Sequence, residues 1–421
     1  MSAALPDRFP HDPTTLWALT GAVVTPTAVL EPGAIVLQGQ TILWVGKPSE
    51  APDAFRPAIA AATTAPLILP GLVDIHCHGG GGASFPDATT PDEVRQGARE
   101  HLAHGTTSLV ASTVTQAPET LLSKMALLAG LVEDGALAAI HAEGPFISPK
   151  RPGAQNPAFI QIPNPGLIDA LAEAARGHLA TMTIAPEAHG TAVGNTPEPV
   201  ERSAIQALAN AGVIPSFGHT DCAAEDMDRA IAEARAALAA PAARSARPTI
   251  THLYNGMRPF AHRDPGPTMA ALAAAARGEA VVELVGDNTH LAPAVVAEVF
   301  DIAGADNILL ITDAMAAAGM PDGAYSLGSL DVEVKDRVAR LAGGTAIAGG
   351  TAHVLDVVRM SVLDAKVDLV EAVKSASQTP ARVLGMERKI GALKAGMRAD
   401  VLLVDADLKP QAVIKAGTQV A

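Results

Sequence analysis

The segment Leu72-Val73-Asp74-Ile75-His76-Cys77-His78-Gly79 sets two histidines two residues apart at the end of an apolar, β-like run, just ahead of three more glycines. Side chains alternate between the faces of a strand, so His76 and His78 project side by side into one space. Cys77 faces the other way, toward helices and core packing. Paired imidazoles of this kind suit a metal ion. Further candidate ligands close other short apolar runs: Glu143 follows 137–142, His219 follows 214–218, His252 follows 249–251 and Asp313 follows 308–312. Four histidines, a glutamate and an aspartate meeting at one mouth suit one or two divalent cations that activate water. In this reading His76 and His78 hold one cation, His219 and His252 hold a second, and Glu143, with two oxygens, bridges them. Asp313 is then placed to take the proton of an attacking water and return it to a leaving group. The competing structural role for Asp313 is a helix N-cap ahead of Ala314-Met315-Ala316, and Asp287 has the same alternative at the helix that follows it.

Those residues meet only if the runs that carry them are parallel strands delivering their carboxyl ends to one face. From Pro70 onward, apolar runs at 107–112, 138–143, 181–185, 213–218, 249–253, 281–285 and 308–312 alternate with amphipathic stretches. With 67–76 they make eight candidate strands, the pattern of an α/β chain folded as a (β/α)8 TIM-like barrel. Residues 16–69 instead read as short β segments broken by Pro and Gly. After a helical stretch at 368–384, the segment 391–404 returns to turn-plus-strand character and is expected to pair with the amino-terminal segments. The expected organisation is a small β-sandwich domain from 1–66 plus 386–421, around a barrel spanning 67–385. The Pro-rich stretch at 197–199 reads as a loop.

Composition narrows the partners. The chain has 421 residues, 48% hydrophobic and 18% charged, with no apolar stretch long enough to span a bilayer and no basic-then-apolar amino terminus. A formal net charge of −14 disfavours nucleic acid and anionic membranes, so an anionic ligand needs a local basic pocket. The two cysteines, Cys77 and Cys222, make no disulfide framework, and a cytoplasmic location is expected.

The strings His141-Ala142-Glu143-Gly144-Pro145-Phe146, Gly218-His219-Thr220-Asp221, Thr251-His252-Leu253-Tyr254-Asn255-Gly256-Met257 and Thr312-Asp313-Ala314-Met315-Ala316-Ala317-Ala318-Gly319, taken with the paired histidines, resemble the amidohydrolase superfamily. Within it they resemble the N-acetylglucosamine-6-phosphate deacetylase family. That resemblance implies hydrolysis of the acetamide of N-acetyl-D-glucosamine 6-phosphate to glucosamine 6-phosphate and acetate, in amino-sugar catabolism and cell-wall recycling. It places phosphate contacts on the backbone amides of Asn255 and Gly256 and on Arg263, which reaches the active site of the neighbouring subunit in a homodimer. A guanidinium with adjacent amides makes a fork that fits phosphate oxygens. His290 matches a histidine that contacts the sugar or its phosphate, two residues after Asn288, where relatives usually carry Gly. Gln155 falls where many relatives place a histidine that donates to the acetyl carbonyl, a bond that a glutamine amide can also donate. The metal is expected to be Zn²⁺, with Fe²⁺, Mn²⁺ or Co²⁺ as alternatives, and retention of both His76 and His78 implies two ions rather than one. The competing functions are an N-acetylgalactosamine-6-phosphate deacetylase and a non-catalytic sugar-phosphate-binding barrel. A dihydroorotase-like activity is disfavoured, because it usually wants a carboxylated Lys in place of Glu143.

Overall fold

Eight parallel strands form the centre of the computed structural model, which describes residues 9, 12–193, 202–240 and 243–421. The barrel strands are Leu72–Cys77, Thr106–Thr113, Ala139–Glu143, Leu179–Ile184, Ile214–Phe217, Thr249–Ile250, Val281–Leu284 and Ile308–Leu310, hydrogen-bonded in sequence order. Closure between the eighth strand and the first is made just beyond the eighth, where the N–H of Asp313 donates to the carbonyl of His76 at 3.0 Å. A parallel bridge then joins Cys77 to Ala314. The seam of the barrel therefore lies at the candidate site itself.

Helices between the strands cover the barrel because their apolar faces repeat at helical spacing. The helix Pro91–Ala103 shows how one begins: the Thr90 side chain accepts from the Glu93 N–H, and Glu93 reaches back to the Thr90 N–H, a capping box. It buries Val94, Gly97, Ala98 and His101 against the barrel. Helix Gly266–Ala276 buries eight of its eleven residues, which its alanine content permits.

Both chain ends contribute to one seven-stranded sheet. Thr63–Pro70 lies within it, parallel to Leu16–Val24 and antiparallel to Val401–Val404, with Leu69 opposite Leu402. Leu19, Ile35, Ile68, Leu403 and Ile414, from strands across the sheet, share one core. The expected return of segment 391–404 to the amino-terminal strands is thus seen. The single strand expected over 67–76 is instead two strands separated at Gly71, so the expected boundary between 66 and 67 falls inside Thr63–Pro70. The junction calls for glycine: a Cβ at Gly71 would stand 2.3 Å from the Thr107 hydroxyl and 2.8 Å from Asp400 Cβ, where the chain passes from sheet to barrel.

A three-stranded antiparallel sheet, Gly323–Leu327, Leu330–Lys335 and Val338–Leu341, follows the eighth strand and was not anticipated from the sequence. The run 197–199 lies outside the described residues. Among the described residues, no helix is long and apolar enough to cross a membrane.

Candidate metal centre

His76 and His78 leave the end of the first strand with their Nε2 atoms 3.1 Å apart. Glu143, at the end of the third strand, stands between two histidine pairs. Its Oε2 lies 3.1 Å from His78 Nε2, and its Oε1 lies 2.9 Å from both His219 Nε2 and His252 Nε2. His219 and His252 bring their own Nε2 atoms to 3.2 Å of each other. All five side chains are buried. Asp313 Oδ1 is 3.2 Å from His78 Nε2 and 3.6 Å from His76 Nε2.

This donor set fits divalent cations. Two nitrogens bound to one tetrahedral zinc at about 2.0–2.1 Å stand about 3.4 Å apart, close to the separation in each histidine pair. The possible metal-holding groups include His76, His78 and Glu143 on one side and Glu143, His219 and His252 on the other. Glu143 belongs to both and offers each a different oxygen. The far nitrogens are treated unequally. His76 Nδ1 faces Glu283 Oε2 at 3.0 Å, and His219 Nδ1 faces the Arg151 carbonyl at 2.9 Å. The Nδ1 atoms of His78 and His252 are buried with no partner in the protein.

The backbone carries strain at the same places. His219, His252 and Asp313 have φ of +46°, +28° and +48°, and Asn288 has φ of +61°. These left-handed conformations are uncommon outside glycine, and each costs on the order of 1–3 kcal/mol. Such strain persists only where the surrounding structure requires it, and here it marks three residues of the cluster. Asn288 adopts a conformation open to glycine, and Asn is among the residues that tolerate it best.

A buried polar layer supports the ligands from below. His141 Nδ1 is 3.0 Å from Ser112 Oγ, and its Nε2 is 2.9 Å from Thr183 Oγ1. Thr183 in turn meets Thr251. Burial, together with nearby His76, pushes the His141 pKa well below the usual imidazole range, so this ring stays neutral. Burial alone would raise the pKa of Asp313, but the hydrogen bond with His78 and the nearness of His76 hold its carboxyl below the ordinary range.

The cluster opens into a cavity of about 350 Å³ lined by Gln155, Asn255, Gly256, His290 and Asp313 among others. His290 Nε2 is 3.8 Å from Asp313 Oδ2, and its Nδ1 is 2.9 Å from Asp287 Oδ2. Asp287 also accepts from the backbone N–H groups of Thr289 and His290. It therefore holds His290, and the helix Pro293–Ala303 starts after Ala292 with no side-chain cap. Nor does Asp313 cap a helix: Ala314, next in the chain, bridges to both Cys77 and Gly350. Arg263 lies in the exposed turn 261–265 and does not line the cavity within one chain. Cys77 is buried among apolar side chains, with Sγ 3.2 Å from His101 Nε2.

Sequence reasoning missed Glu283, whose only signal is a carboxylate in the middle of an apolar strand. It also missed residues 345–347, which line the cavity after the three-stranded insert.

An amidohydrolase family model matches residues 67–420. The N-acetylglucosamine-6-phosphate deacetylase of Bacillus subtilis (strain 168) is 32% identical over 399 residues, covering 92% of each chain. The N-acetylgalactosamine-6-phosphate deacetylase of Escherichia coli O157:H7 is 32% identical over 361 residues, covering 85% of this chain and 88% of that one. Among solved structures, a point mutant of N-acetyl-D-glucosamine-6-phosphate deacetylase from Mycobacterium smegmatis, in complex with N-acetyl-D-glucosamine 6-phosphate, superposes with a TM-score of 0.85 at 38% identity. That match covers 97% of this chain and 100% of the other.

Proposed function

The chain belongs to the amidohydrolase family, and from that premise we propose that it is a metal-dependent deacetylase that hydrolyses N-acetyl-D-glucosamine 6-phosphate to D-glucosamine 6-phosphate and acetate. The observation that carries this reading is the position of Glu143, one oxygen toward His76 and His78 and the other toward His219 and His252. In this reading His76, His78 and Glu143 hold one divalent cation, and Glu143, His219 and His252 hold the other, Zn²⁺ before Fe²⁺, Mn²⁺ or Co²⁺. Ions bound there polarise the acetamide carbonyl and make a water nucleophilic at neutral pH.

The residues of the chain do the rest. Asp313, ionised and facing the ligand cluster, accepts the proton of the attacking water as the carbon–oxygen bond forms. It returns that proton to the nitrogen as the carbon–nitrogen bond breaks, so the amine leaves neutral. His290, oriented by Asp287, contacts the sugar phosphate, and Gln155, one N–H of which is given to Glu143, donates its second N–H to the acetyl carbonyl. The backbone amide of Gly256 binds the phosphate with Arg263 of a second copy, which makes the working unit a homodimer, whereas the Asn255 N–H, expected to share that role, donates to the His252 carbonyl at 2.9 Å. Anchoring the phosphate fixes the acetamide over the cluster, and such positioning is worth several kcal/mol of barrier. The barrel, from Leu72 onward, carries this chemistry, and the strands from Leu16–Val24 to Thr63–Pro70, with those from Val401–Val404 onward, form a domain that braces it. A cytoplasmic location and a role in amino-sugar catabolism and cell-wall recycling accompany the proposal.

The galactosamine epimer is the second reading, favoured by the relative from Escherichia coli that bears that name. The test is acetate release from both N-acetylated 6-phosphates. Faster release from the glucosamine compound is expected, and preference for the galactosamine compound reassigns the substrate. No release from either overturns the proposal.

A further inference from the structure

Among the four imidazoles of the cluster, only that of His76 has a carboxylate on its far nitrogen, and that carboxylate is Glu283. It lies in the seventh barrel strand, is 1% exposed, and places Oε2 3.0 Å from His76 Nδ1. The same oxygen accepts the backbone N–H of His252 at 3.1 Å. The other three imidazoles differ: His219 is backed by a neutral carbonyl, and His78 and His252 have no protein partner on Nδ1.

We infer that Glu283 is a positioning residue that fixes His76 as the Nδ1–H tautomer and makes it the strongest imidazole donor of the cluster, so that the cation held by His76 and His78 depends on Glu283 while the one held by His219 and His252 does not. The physics is direct. A carboxylate accepting from Nδ1–H keeps the proton there, leaves the Nε2 lone pair free, and raises the basicity of that nitrogen. The contact with His252 runs through its backbone and leaves its ring electronically untouched. The inference rests on the proposed two-cation reading of the cluster.

The test is titration of metal-free wild-type protein and the E283Q variant with Co²⁺, following the visible absorption bands and the metal bound per chain. Gln has nearly the same shape and loses the charge. Wild type is expected to take two equivalents. E283Q should bind one of them with near wild-type affinity and the other about 10- to 100-fold more weakly. A purely structural role would instead weaken both sites together. Adding E283Q to His76→Ala should cause no further loss, because Glu283 acts through His76. Should E283Q not fold, the ¹⁵N shifts of the histidines in the wild-type protein decide, with His76 expected as the Nδ1–H tautomer. Two equivalents bound with unchanged affinity by E283Q, equal weakening of both sites, or an Nε2–H tautomer at His76 would overturn the inference and leave the two-cation reading standing. Fewer than two equivalents in the wild type would overturn both.

Discussion

The side-chain amide of Gln155 donates from Nε2 to Glu143 Oε2 at 2.7 Å while its Oε1 accepts the backbone N–H of Thr115 at 2.6 Å. Gln155 is only 4% exposed, and both ends of its amide are engaged. It therefore does more than line the cavity: it steers the Glu143 oxygen that faces His78. Removing it in Gln155→Ala should lower kcat about 10- to 100-fold, the usual effect of losing a partner behind a metal ligand. Gln155→Glu should be worse, since a second carboxylate would repel Glu143. Steady-state kinetics with metal content measured alongside checks both variants, and wild-type kcat in Gln155→Glu would contradict the relationship.

Asp313 is the proton carrier of the proposal. Asparagine keeps its shape and tolerates its left-handed backbone, but it cannot accept a proton. Asp313→Asn is expected to lose about 10²–10⁴-fold in kcat with little change in substrate affinity. Calorimetric titration with the substrate separates binding from turnover. Retained turnover would remove Asp313 from the mechanism, whereas a sugar-phosphate-binding barrel would keep its whole role in this variant.

Gly256 has φ of +59°, and a Cβ there would stand 2.8 Å from His219 Nδ1. Both the conformation and the space call for glycine. Gly256→Ala is expected to cost about 1–3 kcal/mol and to displace the His219 ring. A lowered Tm together with loss of about one metal equivalent per chain is the predicted result. A Tm and metal content matching wild type would show that the loop relaxes freely.

Away from the cavity, His353 lies between Glu100 and Asp356, with Nε2 3.0 Å from Glu100 Oε1 and Nδ1 3.2 Å from Asp356 Oδ2. Burial works against its charged form, but the hydrogen bonds to Asp356 and Glu100 outweigh it and hold the imidazolium above its ordinary range. A folded-state pKa above the unfolded value of about 6.5 gives stability that is fully present below that value and lost as pH rises through the folded one. His353→Gln should therefore fall furthest below wild type at acidic pH, by about 1.5–3 kcal/mol for the charged hydrogen bonds. The gap in Tm should narrow toward alkaline pH. A gap independent of pH would show that His353 is neutral in the folded protein.

The eight barrel strands and the convergence of His76, His78, Glu143, His219, His252 and Asp313 were legible because each residue closes an apolar run, and parallel strands deliver such positions to one face. Glu283 was not legible. One charge within a short strand gives no sign of whether it faces solvent or a ligand, and only the closed barrel decides. The three-stranded insert was hidden for a different reason. Its alternation, as in Leu330–Lys335, is that of a half-exposed hairpin, and it follows a strand where the barrel pattern calls for a helix. Asp287 could be read as a cap because an acidic residue before a helix fits that role. What the sequence does not carry is the turn that gives its oxygens to His290. Gly71 looked like part of a longer strand until Thr107, distant in sequence, came to lie against it.

The central claim is that catalysis runs on cations held by Glu143 and its two histidine pairs. Acetate release from N-acetyl-D-glucosamine 6-phosphate, measured on one preparation before metal removal, after it, and after adding back Zn²⁺ in steps, tests that claim most directly. The expected result is loss of activity in the metal-free protein and recovery that reaches its maximum at two equivalents per chain. Full activity in the metal-free protein, or maximal activity at a single equivalent, would contradict it.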